Sequence, residues 1–373
     1  MTDPDDDLEN LRGQIAEVDR TIAGAIGRRL DLARRIGARK ADRGEPMRDF
    51  GVEGEVLARW RRELGVAGIA PGRAEAIARW LVEESVRAQQ EVLEVRPRAP
   101  GDTFAIAIVG GAGAMGGWLA GFFEDAGHRV AVVDPRPPGG GRPTFPDVET
   151  AAAKVDVLVF ATPIRSTAPL LRRALATDSR ALILDILSVK APILGLLRSA
   201  AAAGRRVTSV HPMFGPSART LSGRNLLLVS CGVPEADRDA RALFQGSALS
   251  IAEVPLDRHD QLIAESLGLA HAVNLLFLAA LAADPATPDD LAHAASTTFH
   301  RQSSLARAVA EEGPELYLDI QAMNPHSWGL YQELHAALDR LEGMVERRDL
   351  PGFSELVRSG RAKLDPGTEP MRR

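Results

Sequence analysis

Residues 104–116 read FAIAIVGGAGAMG, and they decide the fold of the middle of the chain. The short apolar run predicts a buried β-strand. Gly111, Gly113 and Gly116 then follow the pattern G-x-G-x-x-G, and a helical pattern continues through Phe123. Glycines at these places allow a tight turn, close approach of the backbone to a pyrophosphate, and close packing of the helix. The stretch therefore predicts a dinucleotide site at the N-terminus of a helix.

A carboxylate follows this turn at the spacing expected of a dinucleotide site. The next predicted strand ends in Asp134, about 20 residues beyond the glycines, where an acidic side chain accepts hydrogen bonds from ribose hydroxyls. Asp134 favours NAD over NADP because it repels a 2′-phosphate, whereas the nearby cation of Arg136 acts in the opposite direction. The sequence predicts NAD as the cofactor, bound by Gly111, Gly113, Met115, Gly116 and Asp134.

Short apolar runs alternate with helical patterns from this turn to about residue 230. The runs are Phe104–Val109, Arg129–Val133, Asp156–Ala161, Ala181–Ile186, Val207–Val210 and Leu226–Ser230. Such alternation predicts a mostly parallel sheet covered by helices, which is a Rossmann-type α/β domain. The sequence shows no internal repeat.

Helical patterns flank this domain on both sides. An apolar stripe beginning at Leu8 predicts a long amphipathic helix to about Ala41, followed by helices over Asp49–Leu64 and from Pro71. A first helix of this length cannot bury its stripe against two shorter ones, which predicts an interlocked helical dimer. The chain is helical again from about residue 257, where the apolar stretch Leu262–Leu281 predicts a helix buried on most sides.

Composition excludes several classes of function. The formal net charge of −5 gives no reason to expect nucleic acid as a partner. We expect no membrane partner either, because no apolar run approaches the roughly 20 residues that span a bilayer. Cys231 is the only cysteine and the acidic N-terminus lacks the layout of a signal peptide, so we expect a cytoplasmic protein. No pattern of metal ligands stands out.

His211 is the strongest catalytic candidate. It follows the predicted strand Val207–Val210, and open α/β sheets place their ligand chemistry at the carboxyl ends of such strands. A histidine there can take a hydroxyl proton while hydride leaves the same carbon. From position alone, a histidine that only stabilises a turn remains an alternative.

Four motifs together resemble those of prephenate dehydrogenases, in order and in spacing. They are Gly111–Gly116, Ala161–Ile164, Asp185–Lys190 and His211–Pro216, and the resemblance covers about Thr103 to Leu364. It implies oxidative decarboxylation of prephenate to 4-hydroxyphenylpyruvate, with hydride passing to the nicotinamide. It also implies that His211 is the catalytic histidine and that Thr162 orients it. His271 and Arg301 match substrate positions, and the role of Lys190 is left open.

The N-terminal helices resemble the all-helical chorismate mutases, which the dehydrogenase family includes as fusions in this order. The matched residues are Arg12, Arg29, Lys40, Asp49, Glu53, Ser85 and Gln89. The resemblance implies a pericyclic rearrangement, in which the site holds a folded dianion and stabilises negative charge on the ether oxygen. Lys40 and Gln89 would donate to that oxygen and the two arginines would bind the carboxylates. Asp49, Glu53 and Ser85 would serve the hydroxyl side or support the pocket.

Helical geometry agrees with this assignment. Arg29 and Lys40 are three turns apart on one side of the first helix, and Ser85 and Gln89 share a face at i,i+4. Arg12 lies roughly 100° from Arg29 around that helix. Arg12 therefore more easily serves the site of a partner chain in a homodimer.

The predicted architecture is multidomain. An all-α three-helix mutase domain spans residues 1–96, a linker 97–102, the Rossmann-type domain 103–255, and an all-α C-terminal dimerisation domain 256–373. The leading hypothesis is a bifunctional enzyme acting on small-molecule substrates, chorismate and prephenate, in tyrosine biosynthesis.

Two other functions stay open. One is the same pair of reactions on the 4-amino-4-deoxy analogues. Two departures from the family pattern keep it open: Val52 stands where many relatives carry an arginine beside the carboxylate matched by Glu53, and Thr162 stands where members often have a serine. The other is a monofunctional dehydrogenase whose N-terminal helices serve only for dimerisation or effector binding.

Overall fold

The computed structural model describes residues 8–43, 50–94, 103–136, 141–218, 221, 224–245, 247, 249–311 and 313–364. The N-terminal part is α-helical, with α1 (Leu8–Arg43), α2 (Phe50–Val66) and α3 (Pro71–Glu94). The three predicted helices are confirmed, with both ends of the first two and the start of the third within about two residues of their predicted positions.

Helix α1 crosses α3 in direct backbone contact. A Cβ atom on Gly37 would lie 2.5 Å from the carbonyl oxygen of Gln89, so only glycine permits this approach. Helix α2 is joined to α3 by the ion pair between Arg61 and Glu75, at 3.1 Å. The small residues Ala33, Ala74 and Ala78 are buried between the helices, whereas the apolar residues that begin α1 stay exposed.

The middle of the chain forms a seven-stranded sheet in the order β2-β1-β3-β4-β5-β6-β7. The strands are β1 (Ala105–Val109), β2 (Arg129–Val133), β3 (Val157–Phe160), β4 (Leu182–Asp185), β5 (Val207–Pro212), β6 (Asn225–Ser230) and β7 (Ser250–Pro255). All neighbours are parallel except β5 and β6. The predicted Rossmann-type sheet is confirmed. Strand β7 was missed because only Val254 is buried in it, which leaves a weak apolar pattern.

Helices cover both faces of this sheet. They are α4 (Ala114–Asp125), α5 (Val148–Ala152), α6 (Ile164–Leu175), α7 (Leu194–Ala202) and α8 (Pro234–Leu243). On one face, Ile106 and Ile108 of β1 pack with Leu119 and Phe123 of α4 in a core that extends to Phe244. This packing fixes the carboxyl end of β1 against the N-terminus of α4, where the glycine turn lies.

The C-terminal part is helical. It contains α9 (Leu256–Ile263), a π-helical segment (Ala264–Gly268), α10 (Leu269–Ala283), α11 (Pro288–Ala294), α12 (Thr297–Glu311), α13 (Pro314–Met323), α14 (Ser327–Glu346) and α15 (Leu350–Leu364). The chain separates into two compact units, Met1–Leu187 with Ile193–Leu256, and Ser188–Pro192 with Asp257–Arg373. The short segment Ser188–Pro192, which follows β4, thus belongs to the helical unit.

The helix Leu256–Ala283 differs from its prediction. Within this chain it is not buried on most sides, since Leu269, Val273, Leu275 and Leu276 are exposed. Its 28 residues are long and apolar enough to cross a membrane by length and composition, so the prediction that no apolar run approaches that length was wrong. That likeness is weak evidence for a membrane, because a helix in a protein core or subunit interface has the same composition.

Candidate active sites

The glycine turn leaves no room for side chains. A Cβ on Gly116 would lie 2.3 Å from the carbonyl oxygen of Gly110, and one on Gly110, whose φ is +86°, would lie 2.6 Å from the oxygen of Ala161. Gly113 caps α4 without a side-chain hydrogen bond. The first amides of the 12-residue helix α4 therefore face the turn, as an anionic phosphate requires. Met115 lies in this first turn.

Asp134 closes the opposite side of the turn. Its Oδ2 accepts a hydrogen bond from the backbone N–H of Ala112 at 3.1 Å, and its Oδ1 accepts one from the backbone N–H of Arg136 at 2.9 Å. The side chain of Asp134 is only 4% exposed. The glycines and this carboxylate fit a dinucleotide in shape and charge.

Thr162 follows β3 and lies beside the same turn. Its methyl carbon would be 3.0 Å from a Cβ on Gly110, and its hydroxyl is 2.7 Å from that of the buried Thr167. Thr167 also donates to the carbonyl oxygen of Pro163 at the start of α6. The observed contacts of Thr162 are thus with the turn and with α6, and its role in orienting His211 stays a prediction.

His211 lies inside the last part of β5, which continues through Pro212 rather than ending at Val210. Its side chain is 3% exposed. The carboxyl ends of β1, β3, β4 and β5 share one edge of the sheet because these strands are parallel. His211 therefore lies at the edge that carries the glycine turn.

Two buried polar residues near the end of β5 had no role assigned from the sequence, where Asp185 was named only as the first residue of a motif and Ser209 was missed. Ser209, two residues earlier on β5, faces the same side as His211 and is fully buried. It pairs in register with the buried Asp185 on β4, whose carboxylate accepts from the backbone N–H of Leu187 at 3.0 Å. Polar residues in an otherwise apolar strand were the available signal.

The predicted substrate residues of the helical unit differ in exposure. His271 is buried on α10, with its ring centroid 4.3 Å from that of Tyr317 in an edge-to-face contact. Arg301 lies exposed on α12. Lys190 is completely buried, which the sequence did not indicate.

A buried cluster around Asp260 was also missed. The carboxylate accepts backbone hydrogen bonds from Lys190 at 2.8 Å and Ala191 at 2.7 Å, and lies 2.7 Å from Nδ1 of His259. Asn324 donates to the carbonyl oxygen of Asp260 at 2.7 Å. Burial alone would raise the pKa of Asp260, but the hydrogen bonds from His259, Lys190 and Ala191 outweigh it and lower that pKa.

In the N-terminal part, several predicted mutase residues lie together between α1 and α3. Arg29 of α1 donates to the hydroxyl of Ser85 and to the carbonyl oxygen of Leu81. Ser85 and Gln89 are both buried on one face of α3, and Lys40 is half-buried near the end of α1. Within the described part of the chain, Oε1 of Gln89 is buried without a hydrogen-bond partner.

The other predicted mutase residues are not in that group. Arg12 is exposed on α1. Asp49 lies outside the described residues, as do the side chains of Val52 and Glu53. Arg59 on α2 was not predicted as a site residue, but its charge lies near Arg29. Burial has the largest effect in lowering the pKa of Arg29, and the charge of Arg59 lowers it further.

Comparisons with known proteins match three parts of the chain. Residues 11–90 match the family model of chorismate mutase type II. Residues 144–230 match the prephenate dehydrogenase nucleotide-binding domain, and residues 255–359 match the prephenate dehydrogenase dimerization domain.

Curated relatives cover most of the chain. A T-protein of Enterobacter agglomerans is 24% identical over 93% of this chain and 90% of its own length. The 4-amino-4-deoxyprephenate dehydrogenase of Streptomyces pristinaespiralis is 34% identical over 69% of this chain and 90% of its own length.

Solved structures share the fold. Prephenate dehydrogenase from A. aeolicus, in complex with hydroxyphenyl propionate and NAD+, is similar with a TM-score of 0.58 and 18% identity, over 72% of this chain and 100% of that one. Synechocystis arogenate dehydrogenase is similar with a TM-score of 0.55 and 20% identity, over 70% of this chain and 99% of that one.

Proposed function

This chain belongs to the prephenate dehydrogenase family and carries a chorismate mutase domain N-terminal to its dehydrogenase domains. We propose that the protein is a bifunctional enzyme of tyrosine biosynthesis. It rearranges chorismate to prephenate and then oxidatively decarboxylates prephenate to 4-hydroxyphenylpyruvate with NAD. The observation that carries this proposal is the presence of both families on one chain, in an order that a T-protein shares along 93% of it.

The mutase residues act by positioning and by charge. Arg29 is held by Ser85 and the backbone of α3, so its planar fork is fixed before the dianion binds. Gln89 ends in a buried amide whose Oε1 has no partner among the described residues. The amide can present either its oxygen or its nitrogen to a ligand. Together with Lys40 it would stabilise negative charge on the ether oxygen.

In the dehydrogenase, His211 serves as the general base. Its neutral imidazole takes the proton of the ring hydroxyl while the carbon that bears this hydroxyl loses hydride. NAD, held by Gly111, Gly113, Met115, Gly116 and Asp134, supplies the hydride acceptor when bound. Loss of carbon dioxide then makes the ring aromatic. Thr162 would orient His211, while His271 and Arg301 would contact the substrate and its carboxylates.

The proposal also covers the oligomeric state of the protein. The apolar residues Leu8, Ile15 and Val18 of α1 are between 57% and 61% exposed, as expected of a helix that packs on a second copy. Arg12, which lies in this exposed part of α1, would enter the partner's mutase site. We propose a cytoplasmic homodimer, in which the dimerization domain supplies the second contact.

A coupled assay tests the two activities separately. Purified protein is mixed with chorismate and NAD, and loss of chorismate and formation of NADH are followed in wild type, H211N and K40A. We expect H211N to lose NADH formation but keep chorismate consumption, and K40A to do the reverse when prephenate is supplied. Equal loss of both activities in H211N would contradict its assigned role.

One observation favours a second candidate function. The relative from Streptomyces pristinaespiralis, at 34% identity, is named for 4-amino-4-deoxyprephenate. The same two reactions on 4-amino-4-deoxychorismate and its product are therefore the alternative. Comparing kcat/KM for the hydroxy and amino substrates decides between them, since a strong preference for the amino compound would exclude the first proposal.

The coupled assay also addresses a non-catalytic N-terminal module. Wild-type protein that oxidised prephenate but left chorismate unchanged would show that the helices serve only for assembly or effector binding.

A further inference from the structure

The helix that carries His271 contains a widened turn just before this residue. The segment Ala264–Gly268 is π-helical, and the backbone N–H of Leu269 donates to the carbonyl oxygen of Ala264. A π-helical turn holds one more residue than an α-helical turn, so later side chains are rotated by about 100° relative to an uninterrupted α-helix. The direction in which His271 points therefore depends on this turn, and such turns are frequent at functional sites.

Two buried amide side chains hold this segment, Gln321 on α13 and Asn324 directly after it. Nε2 of Gln321 donates to the carbonyl oxygen of Gly268 at 2.9 Å, and Nδ2 of Asn324 donates to that of Asp260 at 2.7 Å. Oε1 of Gln321 accepts a hydrogen bond from the hydroxyl of Tyr331 at 3.3 Å, which fixes the orientation of this amide. The last carbonyl of the widened turn is thus held by a side chain from another helix.

The same face of α13 also contacts His271. Tyr317 precedes Gln321 by one helical turn, and its ring centroid lies 4.3 Å from that of His271. His271 in turn follows Gly268 by about one helical turn on α10. The two helices therefore meet at two adjacent points. Gln321 holds the widened turn at one point, and at the other Tyr317 packs against the histidine that the turn directs.

We propose that Gln321 is a positioning residue for the dehydrogenase reaction. By binding the carbonyl oxygen of Gly268 it holds the π-helical turn, and the turn directs His271 toward Tyr317, where this histidine contacts the substrate. The inference rests on the proposed function, which assigns His271 to substrate binding. Gln321 itself acts through His271 and not on the substrate.

Q321L tests this role, because leucine is close to glutamine in size and removes only the amide. The matched control is Q302L, since Nε2 of Gln302 binds Oδ1 of Asn274 and so contacts α10 beyond the turn, on a side chain. KM and kcat for prephenate are measured at saturating NAD for wild type, Q321L, Q302L, H271N and the double variant Q321L/H271N. Thermal unfolding checks that each variant is folded. If Q321L is not, Q321E replaces it, because glutamate keeps the size and the acceptor for Tyr331 but removes the donor.

NMR of the full-length protein with isotopically labelled histidine gives a readout that needs no turnover. The ring resonance of His271 is assigned from its loss in H271N, and the adjacent ring of Tyr317 shifts it. In Q321L we expect this resonance to move and KM for prephenate to rise by about tenfold, with kcat changed by less than about threefold. Q302L should change neither quantity. In the H271N background, Q321L should raise KM no further, since both substitutions remove the same contact.

An unchanged His271 resonance in Q321L would overturn the proposal. So would a rise in KM that is equal in Q302L, or losses that multiply in the double variant. Failure of the proposed function has a different signature: wild-type protein would not oxidise prephenate, or H271N would leave KM unchanged, while Q321L still moved the resonance. In that case Gln321 would still direct His271, and the substrate assignment of this histidine would be wrong.

Discussion

Arg29 of α1 and Ser85 of α3, 56 residues apart in the sequence, are joined by a hydrogen bond from the guanidinium to the hydroxyl. The guanidinium also donates to the carbonyl oxygen of Leu81 at 2.5 Å. Among the described residues, no carboxylate lies within ion-pair distance of Arg29. The partners observed for this arginine are therefore uncharged groups.

Replacing Arg29 with lysine should damage the mutase while leaving the dehydrogenase intact. Lysine keeps the charge but loses the planar fork that contacts Ser85 and Leu81, so the cation is no longer fixed in the site. We expect kcat/KM for chorismate to fall about 100-fold. Enzymes typically lose this much when one fixed hydrogen-bond donor to the charge of the transition state is removed. Chorismate consumption and NADH formation from prephenate are measured on the same preparation.

The matched control for this variant is R28K. Arg28 is the exposed neighbour on α1 and makes no described contact with α3. An equal loss of mutase activity in R28K would show that the effect comes from α1 as a whole rather than from the contact with Ser85.

Arg59 on α2 should contribute to chorismate binding. It lies close enough to Arg29 for its charge to lower the pKa of Arg29, after the larger effect of burial. Two cations in one site repel each other in the free enzyme, and a bound dianion neutralises both charges. R59A should raise KM for chorismate by about three- to tenfold, with a smaller change in kcat, because only the cation's Coulomb attraction is lost.

R62A is the control for R59A, since Arg62 is exposed on the same helix. If R59A left KM unchanged, or if R62A had the same effect, Arg59 would not face the substrate. Thermal unfolding adds a second readout, because removing the repulsion from Arg59 should not destabilise the protein.

The parts of the fold that follow local rules were predictable from the sequence. The strand β1, the glycine turn and α4 were predicted from the apolar run and from Gly111, Gly113 and Gly116, and close packing at Gly116 does exclude other residues. The positive φ at Gly110 was not part of that prediction. Helical spacing was enough to bring Ser85 and Gln89 onto one face. Each of these predictions rests on residues that lie within a few positions of one another in the sequence.

Contacts between distant segments were not predictable in the same way. Asp260 accepts from Lys190 and Ala191, about 70 residues earlier, and no local pattern links them. The contact between Asp134 and Arg136 depends on side-chain conformation, which spacing does not determine. Strand β7 was missed because its apolar pattern is weak.

Replacing Gly116 with alanine should disrupt the turn. The added Cβ would lie 2.3 Å from the carbonyl oxygen of Gly110 and 2.9 Å from Cα of Gly111, so the backbone must move. We expect binding of NADH to be lost and the free energy of unfolding to fall by about 1–3 kcal/mol. G121A is the control on the same helix, since its Cβ would meet nothing within 4 Å. A G116A protein that bound NADH as wild type does would show that the dinucleotide does not use this turn.

Asp260 should stabilise the helical unit in a pH-dependent manner. Hydrogen bonds from His259, Lys190 and Ala191 outweigh burial and lower its pKa in the folded protein. Its ionised form therefore contributes stability above the pKa of the unfolded state, about 3.9, and this contribution is lost as the pH falls through the lower folded pKa. D260N replaces one accepting oxygen by a donor that faces these N–H groups. At pH 7 we expect it to lower the free energy of unfolding by about 1–3 kcal/mol.

Urea unfolding of wild type, D260N and D339N between pH 7 and pH 3 measures this difference. Asp339 is exposed on α14 and is the control, expected to change stability by less than about 0.5 kcal/mol. The difference between wild type and D260N should shrink below about pH 4, because Asp260 then takes up a proton in the unfolded chain, where its pKa is higher, and this favours unfolding of the wild type. His259 lies 2.7 Å from this carboxylate, so H259N is measured in parallel to separate the loss of that contact from the protonation of Asp260. A difference that stayed constant from pH 7 to pH 3 would mean that Asp260 acts through its shape and not through its charge.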